Sequence, residues 1–185
     1  GGSKMSYDYY IADEALKALG EEFSLEKTIR EFASKIRESE EDPLKLGAQF
    51  FGEYGERAMR RAIELGDKYL DRQGEILKQV AEKTGHVFPH VPQRYLEIMI
   101  MGTRPTAKFY VYGNNTQTID FTLPKCPGYE LLKQSLDQKT ADELPCKHAC
   151  LSALNTLYKA LKLPVKVEMV EKMPEKPCHF TCLKK

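Results

Sequence analysis

The chain has 185 residues, 42% of them apolar and 30% charged, the balance of a soluble globular fold with one core. Its 28 lysines and arginines stand against 27 aspartates and glutamates, so the net charge is +1, without the basic excess that a nucleic-acid-binding surface needs. No apolar run approaches the roughly 20 residues that span a bilayer, and no charged segment leads into an apolar signal region, so the sequence reads as a cytoplasmic protein with neither nucleic acid nor membrane as partner.

Residues 1–4 read as a tag remnant, with Met5 as the native start. From about Tyr7 to Leu19, Ile11, Ala15, Leu16 and Leu19 recur at helical spacing, and Gly20 is the expected stop. Ser24 is placed to cap a second helix through about Glu38, with Leu25, Ile29, Phe32 and Ile36 on one face. Pro43 can open a third, longer helix carrying Leu46, Phe50, Phe51, Tyr54, Ala58, Ala62, Leu65 and Tyr69. Gly47, Gly52, Gly55 and Gly66 sit inside it at a cost of about 1 kcal/mol each relative to alanine, so they mark either breaks or close approach of another helix. A further amphipathic segment, 72–83, ends the helical part.

His86 to Pro92 reads as a loop, after which the pattern turns to strand. Strands are expected over 94–101, 107–112 and 116–123, the last two joined by a turn at Gly113-Asn114-Asn115. Pro127 suits the first position of a helix running to about Leu136; a polar link and a helix from Pro145 to Leu161 follow. The chain closes with alternating strands at Pro164 to Glu171 and Cys178 to Leu183. The fold class is therefore α+β: N-terminal helices over 5–92, then a four- to five-stranded antiparallel sheet with helices packed on it over 93–185, together forming one compact domain.

Cysteine is the uneven residue. All five lie after residue 125, at Cys126, Cys146, Cys150, Cys178 and Cys182. An odd count in a chain without a secretory signal argues against a disulfide framework and for a metal site or a reactive thiol. Cys146 and Cys150 are four apart at an expected helix start, where both can point one way and where the helix N-terminus favours thiolate. Cys178, Phe180 and Cys182 would share one face of the last strand. Such a set suits zinc, held by four Cys or Cys/His ligands, or an iron–sulfur cluster such as [4Fe–4S]. The spacing C-x19-C-x3-C-x27-C-x3-C matches neither a zinc ribbon nor a ferredoxin run, and buried thiols also serve as small apolar core residues.

The segments Lys125-Cys126-Pro127-Gly128-Tyr129-Glu130-Leu131-Leu132, Glu143-Leu144-Pro145-Cys146 with Cys150, and Cys178-His179-Phe180 resemble the C-terminal half of the L-2-amino-thiazoline-4-carboxylic acid hydrolase family, over residues 94–183. That family is similar in layout to 4-vinyl-reductase domains, which pair helices with an antiparallel sheet. The resemblance implies opening of a small cyclic amidine, a thiazoline ring. It also implies a cysteine-bound metal centre beside a small-molecule pocket, with Cys126, Cys146, Cys150 and Cys178 as the recurring cysteines. The chain departs from the pattern at Ala153, where the family has an acidic residue, at His179, where it has Asp in a closing C-D-F, and in adding Cys182.

For ring opening, attack at the C=N carbon builds negative charge on nitrogen, and His148 or His179 is the expected proton donor. Two non-hydrolytic readings stand beside this one: iron–sulfur redox or desulfurising chemistry, and a ligand-binding or sensor module with structural zinc. His86 and His90 are four apart, but Pro89 between them opposes a helix. Met99, Met101, Phe109, Tyr110, Tyr112 and Phe121 form either sheet core or the wall of a small-molecule cavity. Arg94 and Arg104 could meet an anion or serve solubility. Glu56, Arg57, Arg60, Arg61 and Glu64 read as a solvated, charge-paired helix face, and the long glycine-bearing helix is compatible with a homodimer.

Overall fold

Apolar periodicity, caps and turn residues place most of the elements seen in the computed structural model, which describes residues 13–69, 110–114 and 117–185. The expected helix over 72–83, the loop with His86 and His90, the strand over 94–101 and the side chains of Met99, Met101, Arg94, Arg104 and Phe109 lie outside the described residues. So do residues 1–12, with the segment read as a tag remnant and Met5.

Helix α1 (Asp13–Glu22) runs past Gly20, so the expected stop is a residue of its last turn. The cause is tertiary. Glu22 receives three hydrogen bonds of 2.9 to 3.2 Å from the Arg61 guanidinium, which holds the last turn against the next long helix. Helix α2 (Leu25–Glu38) starts as expected, with the Ser24 side chain accepting from the Lys27 amide at 3.4 Å. Helix α3 (Pro43–Tyr69) begins at its proline and runs unbroken through its glycines. It buries Phe51, Tyr54, Ala58, Met59, Ala62 and Leu65. On its outer side Arg60 pairs with Glu56 one turn back, as a solvated face should.

The sheet is antiparallel throughout, with strand order β1-β2-β4-β3 among the described residues: β1 (Tyr110–Asn114), β2 (Thr118–Leu123), β3 (Val165–Glu171) and β4 (Cys178–Lys184). Gly113 and Asn114, expected in a turn, are paired in β1 opposite Asp120 and Ile119, and a bulge between Val111 and Gly113 absorbs the difference. Between β2 and β3 lie α4 (Pro127–Ser135), α5 (Gln138–Asp142) and α6 (Lys147–Ala160). Helix α5 stands where a polar link was expected. Asp137 caps it, accepting from the Thr140 amide at 3.0 Å and the Thr140 hydroxyl at 2.7 Å.

Helix α6 is the middle layer. One side packs on α3, the other on the sheet, and Ala149, Cys150, Ala153, Leu154, Leu157 and Tyr158 are all buried. Close packing on α3 rests on two glycines eight residues apart. A Cβ added at Gly55 would meet the Ala149 carbonyl oxygen at 2.1 Å, and one at Gly47 would meet the Pro145 Cβ at 2.7 Å. These two glycines permit close helix approach; a Cβ at Gly52 would meet nothing within 4 Å. The sheet's inner face supplies Ile119, Phe121, Leu123, Cys178, Phe180 and Cys182 to the same core. Phe121 stacks on Phe180 at 5.3 Å, a sheet-core role rather than a cavity wall. Among the described residues no helix is long and apolar enough to cross a membrane.

Candidate functional site

All five cysteines are buried thiols. Four of them lie on three chain segments that begin near, or are tied by polar contacts to, one end of the sheet. Cys178 opens β4 directly opposite Leu123, the last residue of β2. Three residues beyond Leu123, Cys126 is the N-cap of α4, its proline neighbour starting the helix as the sequence predicts. Cys146 is the N-cap of α6, and Cys150 lies in the first turn of that helix.

A polar hub ties these chain segments together. The Tyr129 hydroxyl, in the first turn of α4, donates to Asp142 Oδ1 at 2.7 Å, and Gln138 Nε2 donates to the same oxygen at 2.6 Å. Lys172, which directly follows β3, donates to the Asp142 carbonyl at 3.3 Å and lies 3.7 Å from the Glu143 carboxylate. The Asp142 carboxylate raises the Tyr129 hydroxyl pKa. One aspartate therefore connects the helix that Cys126 caps, the turn before Cys146 and the strand end beside Cys178. The turn itself is strained: Leu144 has φ 56°, in the left-handed region that a branched side chain enters only under constraint, and its side chain is buried.

Cys182 is placed elsewhere. Strand alternation does put Cys178, Phe180 and Cys182 on the inner face, as expected, with His179 and Thr181 on the other. Yet four residues of strand separate the two cysteine Cα atoms by about 13 Å. Ligands of one zinc have sulfurs about 4 Å apart, so Cys182 cannot join Cys178 on a single ion, and the five-cysteine set reduces to four. Cys182 sits opposite Ile119 and Val167 instead, beside Tyr158 of α6. The Tyr158 hydroxyl is buried without a partner at hydrogen-bond geometry, the Cys182 thiol being the polar group next to it. Burial raises the pKa of both groups, the thiol up to about 11.

The histidines part company as well. His179 Nε2 contacts Asp120 Oδ1 across β2 and β4, and its Nδ1 lies 3.9 Å from Glu171. A bulge between Met169 and Glu171 makes this arrangement, bringing Glu171 opposite His179. His179 is thus on the far face of the sheet from the thiols. Alternation along β4 places it apart from Cys178 and Cys182, which face the core. His148 lies on α6 between Cys146 and Cys150, half-buried, and burial, with Lys147 beside it, lowers its pKa.

Among the described residues, no three His, Cys, Asp or Glu side chains already stand as a group that could hold a metal ion. The four thiols fit zinc or an iron–sulfur cluster by donor chemistry, but not by present side-chain arrangement. The hub was not visible in the sequence: Tyr129 and Asp142 are 13 residues apart with no pattern linking them. The Asp137 cap of α5 was the one local signal nearby.

No protein-family model matches the chain, and no curated protein matches it. A crystal structure of an Fe(II) unliganded H-NOX protein variant from K. algicida is similar at 13% identity over 93% of each chain, with a TM-score of 0.42. At that TM-score the likeness bears on neither fold nor function.

Proposed function

We propose that Cys126, Cys146, Cys150 and Cys178 form a four-thiolate metal centre that staples the start of α4, the start of α6 and the start of β4, in a ligand-binding or sensor module rather than a hydrolase. What supports this reading is that the three chain segments bearing these cysteines are tied together through Asp142 near the start of β4. Four thiolates fill a tetrahedron and leave no open position for water or substrate, which suits a structural role. Of the two histidines expected to give a proton in thiazoline opening, His179 stands across the sheet beside Asp120, while His148 lies between Cys146 and Cys150 on α6.

The test is the metal content and colour of the full chain purified without oxygen. Stoichiometric zinc in colourless protein supports a structural zinc centre; stoichiometric iron with broad visible absorption supports the cluster. Cys150→Ser should lose the metal and Cys182→Ser should keep it. Protein that takes up neither metal, with every thiol titratable in the native state, overturns the proposal.

A further inference from the structure

Strand β3 is paired with β4 along one side, and on its other side no strand stands among the described residues. Such an edge offers unpaired backbone N–H and C=O groups to another strand. The regular part of this edge is short and well defined. Pro164, which has no N–H, bounds it before Val165, and the bulge between Met169 and Glu171 bounds it after Met169. The regular run is therefore Val165–Met169, whose central residue is Val167.

The charges within that run are arranged symmetrically. Lys166 and Glu168 flank Val167 on the outer face, their side chains 59% and 44% exposed, and pair with each other at 2.7 Å. Two antiparallel copies of a strand related by a twofold axis bring residue i opposite residue j, and j opposite i. Centred on Val167, that operation sets Lys166 opposite the second copy's Glu168 twice over. Val165 then faces the second copy's Met169, on the apolar side. Centring on residue 166 sets lysine against lysine, and centring on residue 168 sets glutamate against glutamate, both unfavourable for directly opposed residues. A groove of about 930 Å³ beside the strand has an apolar strip of Leu151, Val167, Met169 and Val170 among six charged residues, room for apolar and charged side chains of a second copy alike.

We propose that β3 is a homodimer interface, in which two copies of this chain join edge to edge in the register centred on Val167 to form a continuous sheet that includes the four described strands of each copy. The charge complementarity of the edge with itself selects a second copy over an unrelated peptide, and the same pattern fixes the register.

The experiment is a charge swap read by sedimentation velocity on the full chain across a dilution series. Wild type is expected to show a monomer–dimer equilibrium. Lys166→Glu and Glu168→Lys should each raise the dimer dissociation constant by about tenfold or more, since each sets two like-charge pairs opposite each other. The double variant Lys166→Glu/Glu168→Lys should restore it. Both positions are solvent-exposed, and far-UV circular dichroism matching wild type shows that the variants fold. A wild type that stays monomeric, a dimer that ignores the single substitutions, or a double variant that fails to recover would each overturn the proposal.

Discussion

The two ends of β4 carry cysteines in opposite surroundings. At Cys178 the neighbourhood is wired by polar links: Tyr129, Gln138 and Lys172 all reach Asp142, and the helices capped by Cys126 and Cys146 begin there. At Cys182 the thiol is sealed between Ile119, Val167 and Tyr158, with burial holding it neutral. The same residue type is thus a candidate ligand at one end and a small core residue at the other. What separates them is whether several chain segments are tied together around the thiol, not whether it is buried, because both are.

The largest expected effect comes from loosening the layer that carries both ends. Gly55→Ala drives a Cβ into the Ala149 carbonyl, between Cys146 and Cys150, and should cost about 3 kcal/mol in denaturant unfolding. Gly52→Ala, on the same helix but facing open space, should gain about 1 kcal/mol. If both changes cost stability alike, close approach of α3 and α6 does not fix the site.

Next comes the sealed end. The Cys182 thiol titrates near 9.0 in the unfolded chain and is pushed up to about 11 when folded. Between those values the unfolded chain sheds the proton and the native chain keeps it, so stability is intact below about pH 9 and falls as the pH rises toward 11. That loss should reach about 2 kcal/mol. Denaturant titrations at about pH 8 and about pH 10.5 measure it, and Cys182→Val should lessen the fall, the buried Tyr158 hydroxyl, whose pKa is also raised, carrying the remainder. An unchanged slope in that variant would mean that another group carries the loss.

The wired end gives a smaller change. Asp142→Ala should lower Tm by about 3 °C and speed alkylation of the thiols at that end, with Tyr129→Phe giving part of the same effect. A double-mutant cycle should show coupling between the two, and simple additivity would break the hub into unrelated contacts. The smallest change is a gain. Helix α6 ends in a Schellman turn, with the Leu163 amide bonded to the Tyr158 carbonyl and the Lys162 amide to that of Lys159, and it forces Lys162 to φ 54°. Lys162→Gly should stabilise by about 1 kcal/mol, read in the same titrations.

Local signals were legible. Ser24, Pro43 and Pro127 announce their helices, and alternation over Cys178, Phe180 and Cys182 assigns their face. The cysteine cluster was legible as a list, while its division into four and one was not, since that depends on distance along a strand and on what lies across it. The end of α1 was misplaced because Arg61, about 40 residues away, extends it. Glu171 joined His179 only through a bulge, and a bulge shifts the alternation without announcing itself in residue type. The glycines of α3 posed the question of break or close approach, and only the neighbouring helix answered it.

The contact between α3 and α6 also bears on how the chain reaches this state. The Ser152 hydroxyl donates to the Gly52 carbonyl at 2.6 Å across a separation of 100 residues. The N-terminal helices therefore complete their core only when a helix near the other end of the chain arrives. Closing so long a loop must precede the reward of packing, which slows folding relative to a bundle of sequence neighbours. During synthesis the face of α3 that α6 covers can be buried by that helix only once it has left the ribosome, an interval in which exposed apolar surface favours aggregation.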